Sequence, residues 1–224
     1  MREYEEFMYY LNYLHFYDKE MVASASKKKW YNKIMQIVKI VKSNNTEKVK
    51  YLIYGELHRD ISPAEIHYES NGNIRYESYY INGNQHRKNG PAYIQYYENG
   101  NIRCLNYYIN GKRHIENGPA IIYYYKNGNN KCEFYYKNGL LHRENGPAVI
   151  HYYKNKNINI ESYYINEQLH RENGPAVIRY YKNGNNKCEF YYKNGLPHRE
   201  NGPVYIHYYK NGNIKCESYY INRL

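Results

Sequence analysis

The sequence predicts an all-β repeat array: an elongated, curved antiparallel β-meander with two strands per 28-residue unit, preceded by an N-terminal α-helical cap. Three observations predict it. Pro63, Pro91, Pro119, Pro147, Pro175 and Pro203 stand 28 residues apart, a period that marks a stack of like units, each leaning on its neighbours. All 15 glycines fall in three registers of that unit, most of them after Asn. Between these turns, apolar and aromatic residues recur at every second position, the period of a strand.

The helical cap is assigned to residues 1–47. Tyr4, Phe7, Met8, Leu11 and Leu14 recur at helical spacing, and so do Trp30, Ile34, Ile37, Val38 and Val41. A helical pair there would cover the first strands, whose open edge would otherwise invite unwanted pairing. The rival readings are a partner-binding helix, or a membrane-surface contact by Lys27–Lys29 beside Trp30.

The array is assigned to residues 48–224: a half copy at 49–62, then repeats 63–90, 91–118, 119–146, 147–174, 175–202 and 203–224. Each opens with Pro, whose missing N–H is tolerated at the first position of a strand. In the fourth full copy Ala148, Ile150 and Tyr152 share one face, and Val149, His151 and Tyr153 the other. The first face keeps Ile in every copy and is taken as buried. The second swaps His151 for Arg179, Gln95 or Tyr123 at one register, which suits solvent. The second strand follows an Asn-Gly turn, with Ile214, Cys216 and Tyr220 opposite Lys215, Glu217 and Tyr219 in the last copy. The third segment, such as Leu140–Gly146, reads as an ordered loop, because two strands per unit give every copy the same surroundings. Lys156, Glu167 and Ser62 interrupt the glycine registers, where looser or differently shaped turns are expected.

The formal net charge is +11; the first 50 residues hold 10 Lys/Arg against 6 Asp/Glu, so the excess is spread rather than confined to a tail. Cys104, Cys132, Cys188 and Cys216 occupy one register. Two strands apart, neighbours lie ~9–10 Å from each other, beyond the roughly 7 Å that a disulfide tolerates. Free thiols fit an intracellular, reducing compartment. Neither a signal-peptide pattern nor a transmembrane segment is read from the chain.

No residue pattern points to catalysis: Walker-type, Gly-x-Ser-x-Gly and Cys-x-x-Cys motifs are absent from the sequence. His58, His86, His114, His142, His170 and His198 form a file, but side chains repeating at ~10 Å cannot converge on one metal ion. The file therefore predicts no metal and no cofactor. His86 with Arg87, His142 with Arg143, His170 with Arg171 and His198 with Arg199 are read as loop-closing pairs, with Arg joined to a Glu such as Glu144 or Glu172. Glu77, Glu133, Glu161, Glu189 and Glu217 read as exposed cross-strand partners of Lys or Arg. The candidate partner-binding residues are Tyr97, Tyr125, Tyr153, Tyr181, Tyr209, His151, Arg179 and His207 on the expected open face.

The Tyr-Tyr-x-Asn-Gly cores at Tyr96–Gly100 and Tyr107–Gly111, with Tyr152–Asn155 carrying Lys156 in the glycine place, resemble MORN-variant repeats. The His-Arg-x-Asn-Gly-Pro-Ala form at His142–Ala148 looks like versions common in giant DNA viruses of amoebae. The resemblance implies a curved sheet used for protein contacts and sometimes acidic lipids, and a virus-associated location in host cytoplasm or virion. This chain differs in its longer period and in having its one Trp outside the array. The expectation is a non-enzymatic scaffold that binds a protein partner, either another protein or a second copy of itself through the open end at Tyr219–Leu224. The alternative is electrostatic binding of nucleic acid or acidic membrane lipid.

Overall fold

A computed structural model describes residues 35–41 and 46–219. One antiparallel meander carries the array. Fourteen strands follow one another in chain order from Met35–Val41 to Ile214–Ser218, and Glu56–Leu57 pairs additionally with Glu47–Ile53. Each 28-residue unit contributes two strands to this sheet, for example Val149–Tyr152 and Ile158–Ser162. Thirteen spacings of ~4.8 Å give a length of ~62 Å across the strands. A register shift interrupts each of the six long hairpins from Glu65–Ser78 to Tyr205–Ser218. Such bulges increase the local twist, so the bending is repeated once per unit.

The third segment holds more order than a loop. Tyr164–Ile165 and Gln168–Leu169 form a second, short hairpin, repeated in five copies. It continues the line of the long strands. Tyr163 donates its N–H to Ala176 at 2.7 Å and accepts from His170 N–H at 3.1 Å. Neighbouring short hairpins are also bonded to each other, as in Arg143 N–H to Tyr164 C=O at 3.1 Å and Glu167 N–H to Leu141 C=O at 2.9 Å. Each unit is thus one long up-and-down excursion whose return leg detours through His170–Ala176.

The glycine registers do three different things. Asn82 and Gly83 both have positive φ (48° and 73°), the two-residue turn that matches strand twist. In the Tyr97–Asn101 turn only Gly100 does (φ 81°), and Gly100 N–H closes on Tyr97 C=O at 2.9 Å while Tyr97 N–H reaches Asn101 C=O. Gly146-type residues (φ 131°) lie in the detour. The turns at Lys156 and Glu167, expected to be looser, keep their neighbours' shape: φ is 72° and 68°, and both N–H groups make the bonds glycine makes elsewhere. Tight strand registers on either side impose the conformation despite the Cβ penalty.

Two further expectations change. Met35–Val41, expected to be helical through Ile37, Val38 and Val41, is a strand paired along its length with Glu47–Ile53. Its β-branched run suits a pleated surface, and the edge of Glu47–Ile53 offers a ladder; the sheet therefore starts before residue 48. The rest of the expected cap, residues 1–34, lies outside the described residues. Burial is also not confined to the isoleucine face. Ile150, Ile178 and Ile206 are buried, but so are Cys104, Cys132, Cys188, Ile121 and Val149 on the opposite face. The alanines after the repeat proline (Ala64, Ala92, Ala120, Ala148 and Ala176) are wholly buried, at the junction of long and short hairpins. A single sheet has no second layer to hide one face, so large aromatic neighbours cover small residues on both.

Candidate functional site: the repeated rows and one broken loop

Strand pairing lines up two rows of side chains. One runs Ile66, Glu77, Ile94, Leu105, Ile122, Glu133, Ile150, Glu161, Ile178, Glu189, Ile206 and Glu217. These glutamates do not serve as cross-strand partners of Lys or Arg. Tyr180 Oη donates to Glu161 at 2.7 Å and Tyr208 Oη to Glu189 at 3.1 Å. Carboxylates set among tyrosines are satisfied by the nearest hydroxyls. Burial raises the Glu77 carboxyl above its ordinary range, against the opposing charge of Arg87.

The other row runs His67, Tyr76, Gln95, Cys104, Tyr123, Cys132, His151, Ile160, Arg179, Cys188, His207 and Cys216. All four cysteines are free thiols, each separated from the next by at least one intervening strand. Burial pushes the Cys104 and Cys132 thiols up to about 11. At every second place the residue changes: Gln95, Tyr123, His151, Arg179, His207. Tyr123 and Arg179 are exposed, the others partly so. His151 stands edge-on to Phe134, 5.9 Å between centroids, and burial, with Lys131, lowers its pKa. Arg179 lies over Phe190 at 5.7 Å, and Tyr205 lies between Phe190 and His207.

The tyrosines proposed as partner anchors have structural work. The hydroxyls of Tyr97, Tyr125, Tyr153 and Tyr181 donate at 2.8 Å to the carbonyls of Tyr124, Tyr152, Tyr180 and Tyr208, each in the next unit. Tyr209, the last of the file, is 51% exposed. In the turns of the Tyr97–Asn101 type the closing asparagine (Asn73, Asn101, Asn129, Asn157 and Asn185) adds a parallel link, as in Asn157 Nδ2 to Lys182 C=O at 2.9 Å.

The histidine file also fastens unit to unit. Nδ1 of His58, His86, His142 and His170 lies 2.8–2.9 Å from the side-chain oxygen of Asn82, Asn110, Asn166 and Asn194. The backbone N–H of the same asparagines approaches Nδ1 as well. His114 keeps only the backbone link, to Asn138 at 3.3 Å. His198 is exposed, and its counterpart Asn222 lies outside the described residues. Nε2 meets the acid two residues on: Asp60, Glu116, Glu144 and Glu172. Among the described residues no three His, Cys, Asp or Glu side chains gather where a metal could bind.

Glutamate is thus the histidine's partner, and the expected Arg–Glu pairing does not form. Arg59, Arg87, Arg143, Arg171 and Arg199 instead lie over Tyr51, Tyr79, Tyr135, Tyr163 and Tyr191, with Cζ 3.8–3.9 Å from the ring centroids. Each donates from Nη1 to the carbonyl of the following Pro at 3.1–3.4 Å. A planar guanidinium can stack and donate at once, and no glutamate in the loop offers both contacts.

The loop at His114–Gly118, in the second full copy, breaks the pattern, because Ile115 stands in the arginine's place. A cleft of about 520 Å³ opens there, lined by Ile115 and Gly118 on one side and by Tyr135, Lys137, Arg143 and Glu144 on the other. Lys156 and Glu167, where looser turns were expected, keep regular turns, so the break in the frame falls elsewhere. The His114-Ile115 step was the signal for the cleft, and it is visible in the sequence. No protein-family model matches the chain, and no curated protein matches it. No helix long and apolar enough to cross a membrane is found among the described residues.

Proposed function

We propose that the chain is a non-enzymatic, MORN-like repeat scaffold that holds a protein partner against the row Gln95, Tyr123, His151, Arg179 and His207. One observation carries this reading. Within a frame whose turns, fastenings and glycines recur copy after copy, these positions change chemistry at a fixed spacing on a continuous sheet. A rigid frame bearing a varied line of aromatic, basic and amide groups suits an extended protein surface, with Tyr and Arg as anchors. Rows of side chains held apart do not assemble an acid, a base and a nucleophile around one bond. The buried thiols suit a reducing compartment.

The test is cross-linking in native cells with the full chain, comparing it with Tyr123→Ser/Arg179→Ser at low and high salt. The expected result is one protein captured at both salt levels and lost in the variant, with the variant's far-UV circular dichroism unchanged. Capture that vanishes with salt and recovers nucleic acid or acidic lipid in place of a protein would replace this reading with the electrostatic one.

A further inference from the structure

The same contacts recur in five copies, and they define a guanidinium site from within the molecule. The tyrosine ring lies beneath at 3.8–3.9 Å. The Pro carbonyl accepts at the side. In four copies the glycine before that Pro leaves the space the group needs: a Cβ on Gly90, Gly146, Gly174 or Gly202 would stand 3.2–3.3 Å from the arginine Cζ.

The loop at His114–Gly118 keeps the frame within its own unit and leaves out the arginine, while the backbone bond that Arg87 and Arg143 N–H make to the next short hairpin is not made from residue 115. Tyr107 N–H still bonds Ala120 C=O at 2.8 Å, His114 N–H still bonds Tyr107 C=O at 3.2 Å, and Ala120 is wholly buried. Yet residue 115 is Ile, so Pro119 C=O has no guanidinium donor and Tyr107 no cation. Nothing lies within 4 Å of where a Gly118 Cβ would be, and Gly118 lines the cleft. The cations on the cleft wall are already engaged. Arg143 is stacked on Tyr135 and bonded to Pro147 C=O, and Lys137 Nζ is 3.1 Å from Glu144. An anion entering the cleft would compete with these pairs. A cation seated beside Gly118 would find the Pro119 carbonyl, which lies just behind the cleft lining, and Glu116, whose largely exposed carboxylate also meets His114 Nε2 at 3.2 Å.

We propose that the place beside Gly118, which arginine fills in the other copies and which opens on this cleft, is a docking slot for a guanidinium group, supplied by an arginine side chain of the partner protein. This rests on the protein-binding reading above and adds a specific anchor to it. The ligand chemistry is fixed by the other copies: a planar cation that stacks on tyrosine and donates in its own plane to a carbonyl. A lysine ammonium would satisfy the carbonyl but not the stacking geometry.

The test is NMR titration of the full chain with methylguanidinium, a blocked Gly-Arg-Gly peptide and its Gly-Lys-Gly counterpart, reading the Gly118 amide. The arginine peptide is expected to shift that resonance saturably, at a concentration at least about tenfold below the lysine peptide. Ile115→Arg should abolish the response by filling the slot from within. Arg143→Ile should add a second saturable response at Gly146. No saturable shift at Gly118 in the unaltered chain overturns the proposal, and it does so most directly if Gly146 responds in Arg143→Ile. Saturation by methylguanidinium at a lower concentration than by the arginine peptide would overturn the partner-arginine source. Failure here leaves the scaffold reading standing, since that is judged by Tyr123 and Arg179; loss of partner capture with an intact Gly118 response would mark the reverse case.

Discussion

Removing one arginine from the repeated clamp should cost far more than an ordinary surface substitution. Arg171 lies 3.9 Å from the Tyr163 ring centroid and 3.2 Å from Pro175 C=O. A partly desolvated cation–π contact contributes ~1–2 kcal/mol, and a hydrogen bond to a carbonyl that loses its donor ~1 kcal/mol. Arg171→Ala is therefore expected to lower stability by about 2–3 kcal/mol, against within about 0.5 kcal/mol for a surface change without such contacts. Arg171→Lys should recover only a small part, since the ammonium cannot stack and donate in one plane. Urea unfolding followed by circular dichroism, at an unchanged slope, measures the difference. A loss below about 0.5 kcal/mol would refute the claim that the clamp, and not the ladder alone, joins the two halves of each unit.

Four further outcomes are expected. Lys156→Gly and Glu167→Gly should each stabilise the chain by about 0.5–1 kcal/mol, because relief of the left-handed backbone exceeds the flexibility that glycine adds to the unfolded chain; urea midpoints of the single and double variants measure this. Tyr153→Phe should cost about 1 kcal/mol through the lost bond to Tyr180 C=O, whereas Tyr209→Phe, at the exposed end of the file, should leave the midpoint unchanged. Because burial depresses the folded-state pKa of His151, the unfolded chain takes up the proton first. Its contribution is present above about pH 6.5 and is lost as pH falls from there through the folded value; His151→Gln should flatten that slope in urea midpoints taken across the range. At the alkaline end, Cys104 and Cys132, held at about 11, and Tyr208, held at about 12, favour the folded state while protonated. That contribution should fade as pH rises from the unfolded thiol and phenol values through the folded ones, seen as an alkaline unfolding transition.

The period, the two long strands per unit and the turn positions were legible in the chain, whereas the short second hairpin was read as a loop. Pro, Gly and alternating Ile/Tyr act locally, and a local signal repeated six times is hard to misread. The reading failed where a side chain's partner sits a whole unit away. His58 meeting Asn82, or Tyr97 meeting the carbonyl of Tyr124, depends on the stack being assembled, and nothing near His58 or Tyr97 in sequence announces it. The Arg–Glu expectation failed for a related reason. Sequence proximity favoured Arg143 and Glu144 as an ion pair, but the chain detour turns Arg143 inward over Tyr135 and leaves Glu144 to His142 and Lys137. Ile37, Val38 and Val41 fit a helical stripe as well as a strand, and the decision came from the partner strand Glu47–Ile53.

Because strands follow one another side by side from Met35 to Ser218, a tensile load applied at the two ends of the sheet acts across the ladder and not along it. Rungs loaded that way give way singly, as a zipper does, and do not resist together. The links from tyrosine hydroxyl and asparagine at one turn, and from histidine at the loop, bridge one unit to the next, so a separating unit must release them along with its rungs. Under tension the array would lengthen in steps of one module and recoil when released, a compliant tether whose increments are set by its 28-residue period.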